Sequence, residues 1–209
     1  MTLIDQTLLA LFIPTFFIVS VTPGMCMTLA MTLGMSYGVR TTMWMMWGEL
    51  LGVASVALAA VIGVSTVMLS YPQVFFALKW LGGAYLIWLG INMWRSKGKL
   101  AITNETQANT DISKFKLFNQ GFITAIANPK GWAFMVSLLP PFINTDLAMA
   151  PQLTLLILVI LSTEFICMML YASGGKTLAR LLTNSNNLQL LNKVSGSLMM
   201  LVGVWLALG

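Results

Sequence analysis

Apolar residues fall into six long runs separated by short polar connections, at approximately 7–33, 43–68, 74–94, 118–143, 151–173 and 190–208. A helix needs roughly 20 apolar residues to cross about 30 Å of hydrocarbon. Each run is long enough, so the pattern predicts six transmembrane helices. The first run has no basic residue before it, and no small-residue cleavage site closes a short apolar core. It is expected to be a span and not a signal peptide.

Composition excludes the alternatives. Of 209 residues, 58% are hydrophobic and 8% charged, against about a quarter charged in a soluble domain. With a mean hydropathy of +0.86, the chain has too little polar surface to clothe a water-soluble globule. Intrinsic disorder needs the opposite composition. The expected class is an all-α integral membrane protein. There is no His, and only Cys26 and Cys167 could supply thiolates. A zinc or iron–sulfur site lacks a ligand set, and neither a metal nor another cofactor is expected. Both cysteines lie in apolar stretches, which excludes a disulfide framework.

Charge changes the picture in one way. A net charge of +5 could suit nucleic acid, but the basic residues sit mostly in short connections between apolar runs. No nucleic-acid partner is expected, and the charge reports orientation in the bilayer. Connections 34–42, 95–117 and 174–193 hold Arg40, Arg95, Lys97, Lys99, Lys114, Lys116, Lys176, Arg180 and Lys193, nine basic residues. The opposite side holds only Lys79, since Lys130 falls inside a span. The basic side is expected to face the cytoplasm, with both termini outside a multi-pass protein of the cell inner membrane. The 95–117 connection, rich in Asn, Thr and Ser, reads as a solvated cytoplasmic linker. It divides the chain into 1–94 and 118–209, three spans each.

The halves match each other. Thr22-Pro23-Gly24 stands in the first span and Asn128-Pro129-Lys130-Gly131 in the fourth, with Phe16 and Phe122 each seven residues before the proline. Gly83 and Gly90 bracket six residues of the third span, as Gly196 and Gly203 do in the sixth. With three spans per half, the second half enters the membrane from the opposite side. The expected architecture is two inverted three-helix repeats, common among secondary transporters.

Proline within a helix removes a backbone hydrogen bond and clashes with the preceding turn. Groups freed at membrane depth are tolerated only against protein or a water-filled cavity. Pro23-Gly24 and Pro129-Lys130-Gly131 therefore predict broken first and fourth helices, the alternative being packed kinks. Pro14, without a counterpart, reads as such a kink. A half-helix starting at a break presents bare N–H groups and partial positive charge to a carboxylate. Glu49, Glu164 and Lys130 lie inside spans, where ionisable residues default to function. Desolvation disfavours the carboxylate charge, which suits a proton carrier. A structural pair of Lys130 with one Glu is the alternative. Thr22, Pro23, Gly24, Asn128, Pro129 and Lys130 thus form a candidate carboxylate end. Glu49 and Glu164 form an end for an ammonium or a proton, so an amino-acid zwitterion fits.

Blander readings suit other features. Gly34 with Gly38, and Gly48 with Gly52, predict close helix packing. Thr28, Thr32 and Ser36 either line a polar path or bond their own backbone. Trp80, Trp88, Trp94 and Tyr71 are expected near the interfaces.

Thr22-Pro23-Gly24, Asn128-Pro129-Lys130, the run from Leu78 to Gly90 and the tail from Leu191 through Gly203 resemble the LysE/RhtB amino-acid exporters over essentially the whole chain. The last two segments look most like the homoserine and threonine branch. The resemblance implies efflux of amino acids or derivatives driven by the proton gradient, from a six-span chain that can form a homodimer. The chain departs from the family pattern at Met25, at Glu49 in place of Asp, and at Pro140-Pro141-Phe142, and these departures bear on the substrate. Two other functions compete with export. A membrane thiol–disulfide relay would use Cys26 beside the first break, but no cysteine follows Pro129, and Cys167 lies on the fifth span. A non-transporting membrane subunit would leave the buried carboxylates unexplained.

Overall fold

A computed structural model describes residues 5–70, 72–95, 112–139, 142–144, 147–183 and 185–208. The regular elements among them are eight helices: α1 (Gln6–Val21), α2 (Met25–Tyr37), α3 (Val39–Ser70), α4 (Pro72–Arg95), α5 (Lys114–Ile126), α6 (Pro129–Leu138), α7 (Met149–Thr183) and α8 (Ser185–Leu208). Most of the 95–117 linker, with Lys97 and Lys99, lies outside the described residues, as do Tyr71, Pro140 and Pro141. So do the side chains of Lys79, Lys176 and Arg180.

The first and fourth apolar runs are each two helices. α1 and α2 meet at Thr22-Pro23-Gly24 with a bend of 56°, and α5 gives way to α6 at Ala127-Asn128. Pro129 is tolerated because it opens α6, where its missing N–H costs nothing. By length and hydropathy, α3 and α7 could each cross a membrane, and the bent α1–α2 pair makes a third candidate among the described residues. Pro14 lies within α1, which stays helical through it.

Two expected loops are helical instead. The 34–42 connection shrinks to Gly38, whose φ of +78° closes α2 in a conformation that side chains disfavour. The 174–193 connection is absorbed by α7, which is kinked at Gly175 (φ +41°), and by α8. Gly38 has no heavy atom within 4 Å of a built Cβ, so its role is the turn and not the packing expected of it.

Helix contacts follow the small residues. Gly48 of α3 lies against the backbone of Phe118, and Gly121 of α5 against that of Met45. In α4 and α8, a Cβ on Gly90 would stand 2.5 Å from Gly196 O, and one on Gly203 would stand 2.7 Å from Gly83 O. Such contacts let helices dock without a hydrophobic driving force between them. Leu58, Ile62, Leu158, Ile166 and Leu170 remain exposed, a surface suited to lipid and costly in water. Trp80, Trp88 and Trp94 are exposed, and Lys193 Nζ lies 5.2 Å over the Trp94 ring.

The interior divides into two clusters. One gathers Phe12, Phe16, Val56, Phe134, Phe142 and Ile160 with their neighbours. The other is built around Met31, Met45, Met46, Leu117 and Met168. A polar clasp closes the bundle beside the first cluster. Asp5 caps α1 through the N–H groups of Thr7 and Leu8 and accepts from Asn144 Nδ2 at 3.3 Å. Gln152 holds the backbone of Asn144 from both sides. The Leu8 N–H, with Asn144 next, holds the Asp5 carboxyl below its usual range.

Candidate functional site

Between the two helix breaks lies a cavity of about 50 Å³, room for a few waters. Six of the eight candidate residues line it: Thr22, Gly24, Glu49, Asn128, Lys130 and Glu164. Pro23 and Pro129 stand at the breaks themselves and shape the wall without being part of it. Sequence positions more than a hundred residues apart are thus brought to one place.

Each polar group has a distinct setting. Glu49, projecting from α3, is 1% exposed. Its Oε2 is buried with no hydrogen-bond partner among the described residues. Leaving such an atom unsatisfied costs on the order of a few kcal/mol, so the atom needs a proton, water or ligand to meet it. Glu164 of α7 is partnered, since Ser20 Oγ donates to its Oε1 at 2.8 Å.

Lys130 has partners that neither expectation named. Its Nζ donates to Val19 O at 3.0 Å and to Thr22 O at 3.4 Å. The ammonium therefore sits on carbonyls at the C-terminal end of α1, where the helix dipole favours a cation, and Val19 O also accepts from Thr22 N at 3.2 Å. Tyr171 helps by donating to Val21 O at 2.8 Å. No ion pair of Lys130 with Glu49 or Glu164 closes within 4 Å among the described residues.

The two half-helix starts differ. Asn128 Oδ1 accepts from Lys130 N at 3.1 Å and caps α6. Its Nδ2 points to Cys26 Sγ at 3.8 Å. At α2 the cap is Gly24, which has no side chain to offer, so the first-turn N–H groups are the barer of the two. Thr22 Oγ1 donates to Ile18 O at 2.9 Å and shares a 2.7 Å hydrogen bond with Ser195 Oγ, tying the first break to α8.

Sequence reasoning missed Ser20, Tyr171 and Ser195. Tyr171 could have been found, because it follows Glu164 by seven residues and so shares its helix face. Ser20 and Ser195 carry no such signal. Thr32 and Ser36 bond carbonyls one turn back, at 3.0 and 2.9 Å, the second of the two readings expected of them. Cys26 and Cys167 are both buried free thiols.

A membrane-embedded cavity with buried charges between broken helices is the layout of a carrier. The family model for LysE type translocators matches residues 17–209. The chain belongs to the LysE translocator family and is a transporter, not an enzyme. It is 32% identical over 190 residues to a homoserine/homoserine lactone efflux protein of Salmonella typhimurium, covering 91% of each chain. It is 30% identical over 193 residues to an uncharacterised membrane protein of Vibrio cholerae, covering 92% of this chain and 93% of the relative. A leucine efflux protein of an Enterobacter species is 28% identical over 131 residues, 63% of this chain and 61% of that one. No solved structure matches.

Proposed function

We propose that this translocator exports small neutral amino acids from the cytoplasm across the inner membrane in exchange for protons. The observation that carries the reading is the unpartnered Oε2 of buried Glu49, a residue that lines the cavity bordered by both helix breaks. Glu49 exchanges a proton for the substrate ammonium, and Glu164, steadied by Ser20, assists. The open first turn of α2 after Thr22-Pro23-Gly24 receives the carboxylate. Asn128, Pro129 and Lys130 complete that end.

In this reading the chain makes six spans as two inverted repeats, 1–94 and 118–209, that rock around the cavity. The glycine contacts of α4 and α8 support it. Exchanging the halves turns the Gly83–Gly203 contact into the Gly196–Gly90 contact, so the pair maps onto itself. Arg40, Lys114 and Lys116 lie at the starts of neighbouring helices α3 and α5, in keeping with a basic cytoplasmic side and outward termini.

The test is uptake of labelled neutral amino acids into inside-out vesicles with an acid interior. Saturable uptake that collapses when the gradient is discharged is expected. Uptake indifferent to the gradient would remove proton exchange from the account.

A further inference from the structure

Resting on the amino-acid reading of this cavity, we infer that its preferred substrates carry an aliphatic side chain, of the leucine or methionine kind, in preference to a hydroxylated one. The cavity is polarised along three of the helices that line it, α1, α3 and α6. On α1, Ser20 is followed toward the clasp by Phe16, and on α3 Glu49 is followed by Val53 and Val56. On α6, Lys130 is followed by Phe134 and Met135. In every case the polar residue stands at the level of the breaks. The apolar ones lie one to two turns away in the same direction, in or against the single cluster that holds Phe12 and Phe142. The Phe12 and Phe142 rings, 5.0 Å apart, pack edge to face within that cluster.

A zwitterion held at the charged level therefore directs its side chain into an apolar slot. Hydrogen-bonding capacity left for a substrate hydroxyl is scarce. Ser20 donates to Glu164, and Thr22 is taken by Ile18 O and Ser195. Asn128 caps α6 and faces Cys26, and Lys130 holds two carbonyls of α1. Among the described residues, Glu49 Oε2 is a buried atom without a partner, and it is the group the substrate ammonium needs. A slot of this kind favours an apolar side chain over an isosteric hydroxylated one by on the order of a hundredfold. The preference differs from the homoserine named for the Salmonella relative.

The experiment is gradient-driven uptake by the full-length protein in proteoliposomes, comparing leucine, methionine and valine with homoserine and threonine. Valine and threonine are the decisive pair, being the same size. Uptake efficiency for the aliphatic set at least about tenfold higher is expected. A Val53→Thr variant, nearly isosteric, is expected to narrow that ratio. Homoserine or threonine carried as well as the aliphatic set by the unaltered protein would overturn the inference and leave amino-acid export standing. Gradient-driven uptake of none of the five would overturn both.

Discussion

Lys130 occupies a place where two requirements meet. An ammonium inside the membrane needs partners, and α1, cut short at Val21, leaves carbonyls that need donors. The ammonium meets Thr22 O and Val19 O, the latter shared with the Thr22 N–H. Lys130→Met removes the charge-assisted bonds while keeping the length of the side chain, and should lower stability by about 1.5–3 kcal/mol per bond before relaxation. Thermal unfolding of the purified variant in detergent would read this as a clear drop in melting temperature, and an unchanged midpoint would contradict the capping role. The positions of the charges were legible in the sequence, because Glu49, Lys130 and Glu164 stand out against apolar runs. Their partners were not. A lysine bound to backbone carbonyls has no motif, and Phe16, Val53 and Phe134 look like any lipid-facing or core residue until the fold turns them toward one cavity.

Among the elements, the breaks could be foreseen because proline and glycine impose them through backbone geometry alone. The turn between α2 and α3 and the extent of α7 could not. Polar residues at 34–42 and 174–193 signal solvent equally well from a loop or from the end of a helix. Only Gly38 and Gly175, at positive φ, mark where the chain bends. Docking of α5 on α3 rests on backbone approach at Gly48 and Gly121. A methyl group at Gly48 would meet the Phe118 carbonyl, which α5 cannot move cheaply. Gly48→Ala should therefore cost about 1–3 kcal/mol by overpacking and separate Glu49 from the second break. A melting temperature and a transport rate both equal to those of the unaltered protein would show that the two helices tolerate a wider spacing.

At the level of the whole molecule, an apolar exterior, an interior split into two clusters and a charged cavity between broken helices all suit a carrier in a bilayer. Composition alone pointed to the membrane, and the matching motifs of the two halves pointed to the cavity. Membership of the LysE translocators agrees with the membrane reading. What the sequence withheld was the polarity of the cavity, with charges at the level of the breaks and an apolar slot toward the clasp. That polarity arises from residues on three helices that no spacing rule connects. The account turns on Glu49, which we propose exchanges a proton for substrate through its unpartnered oxygen. Its most direct test compares gradient-driven amino-acid uptake by the unaltered protein and by Glu49→Gln in matched proteoliposomes, with folding and insertion checked in each. The account predicts that the gradient-driven component is abolished in a variant that remains folded and inserted. Undiminished proton-driven uptake by Glu49→Gln would contradict it.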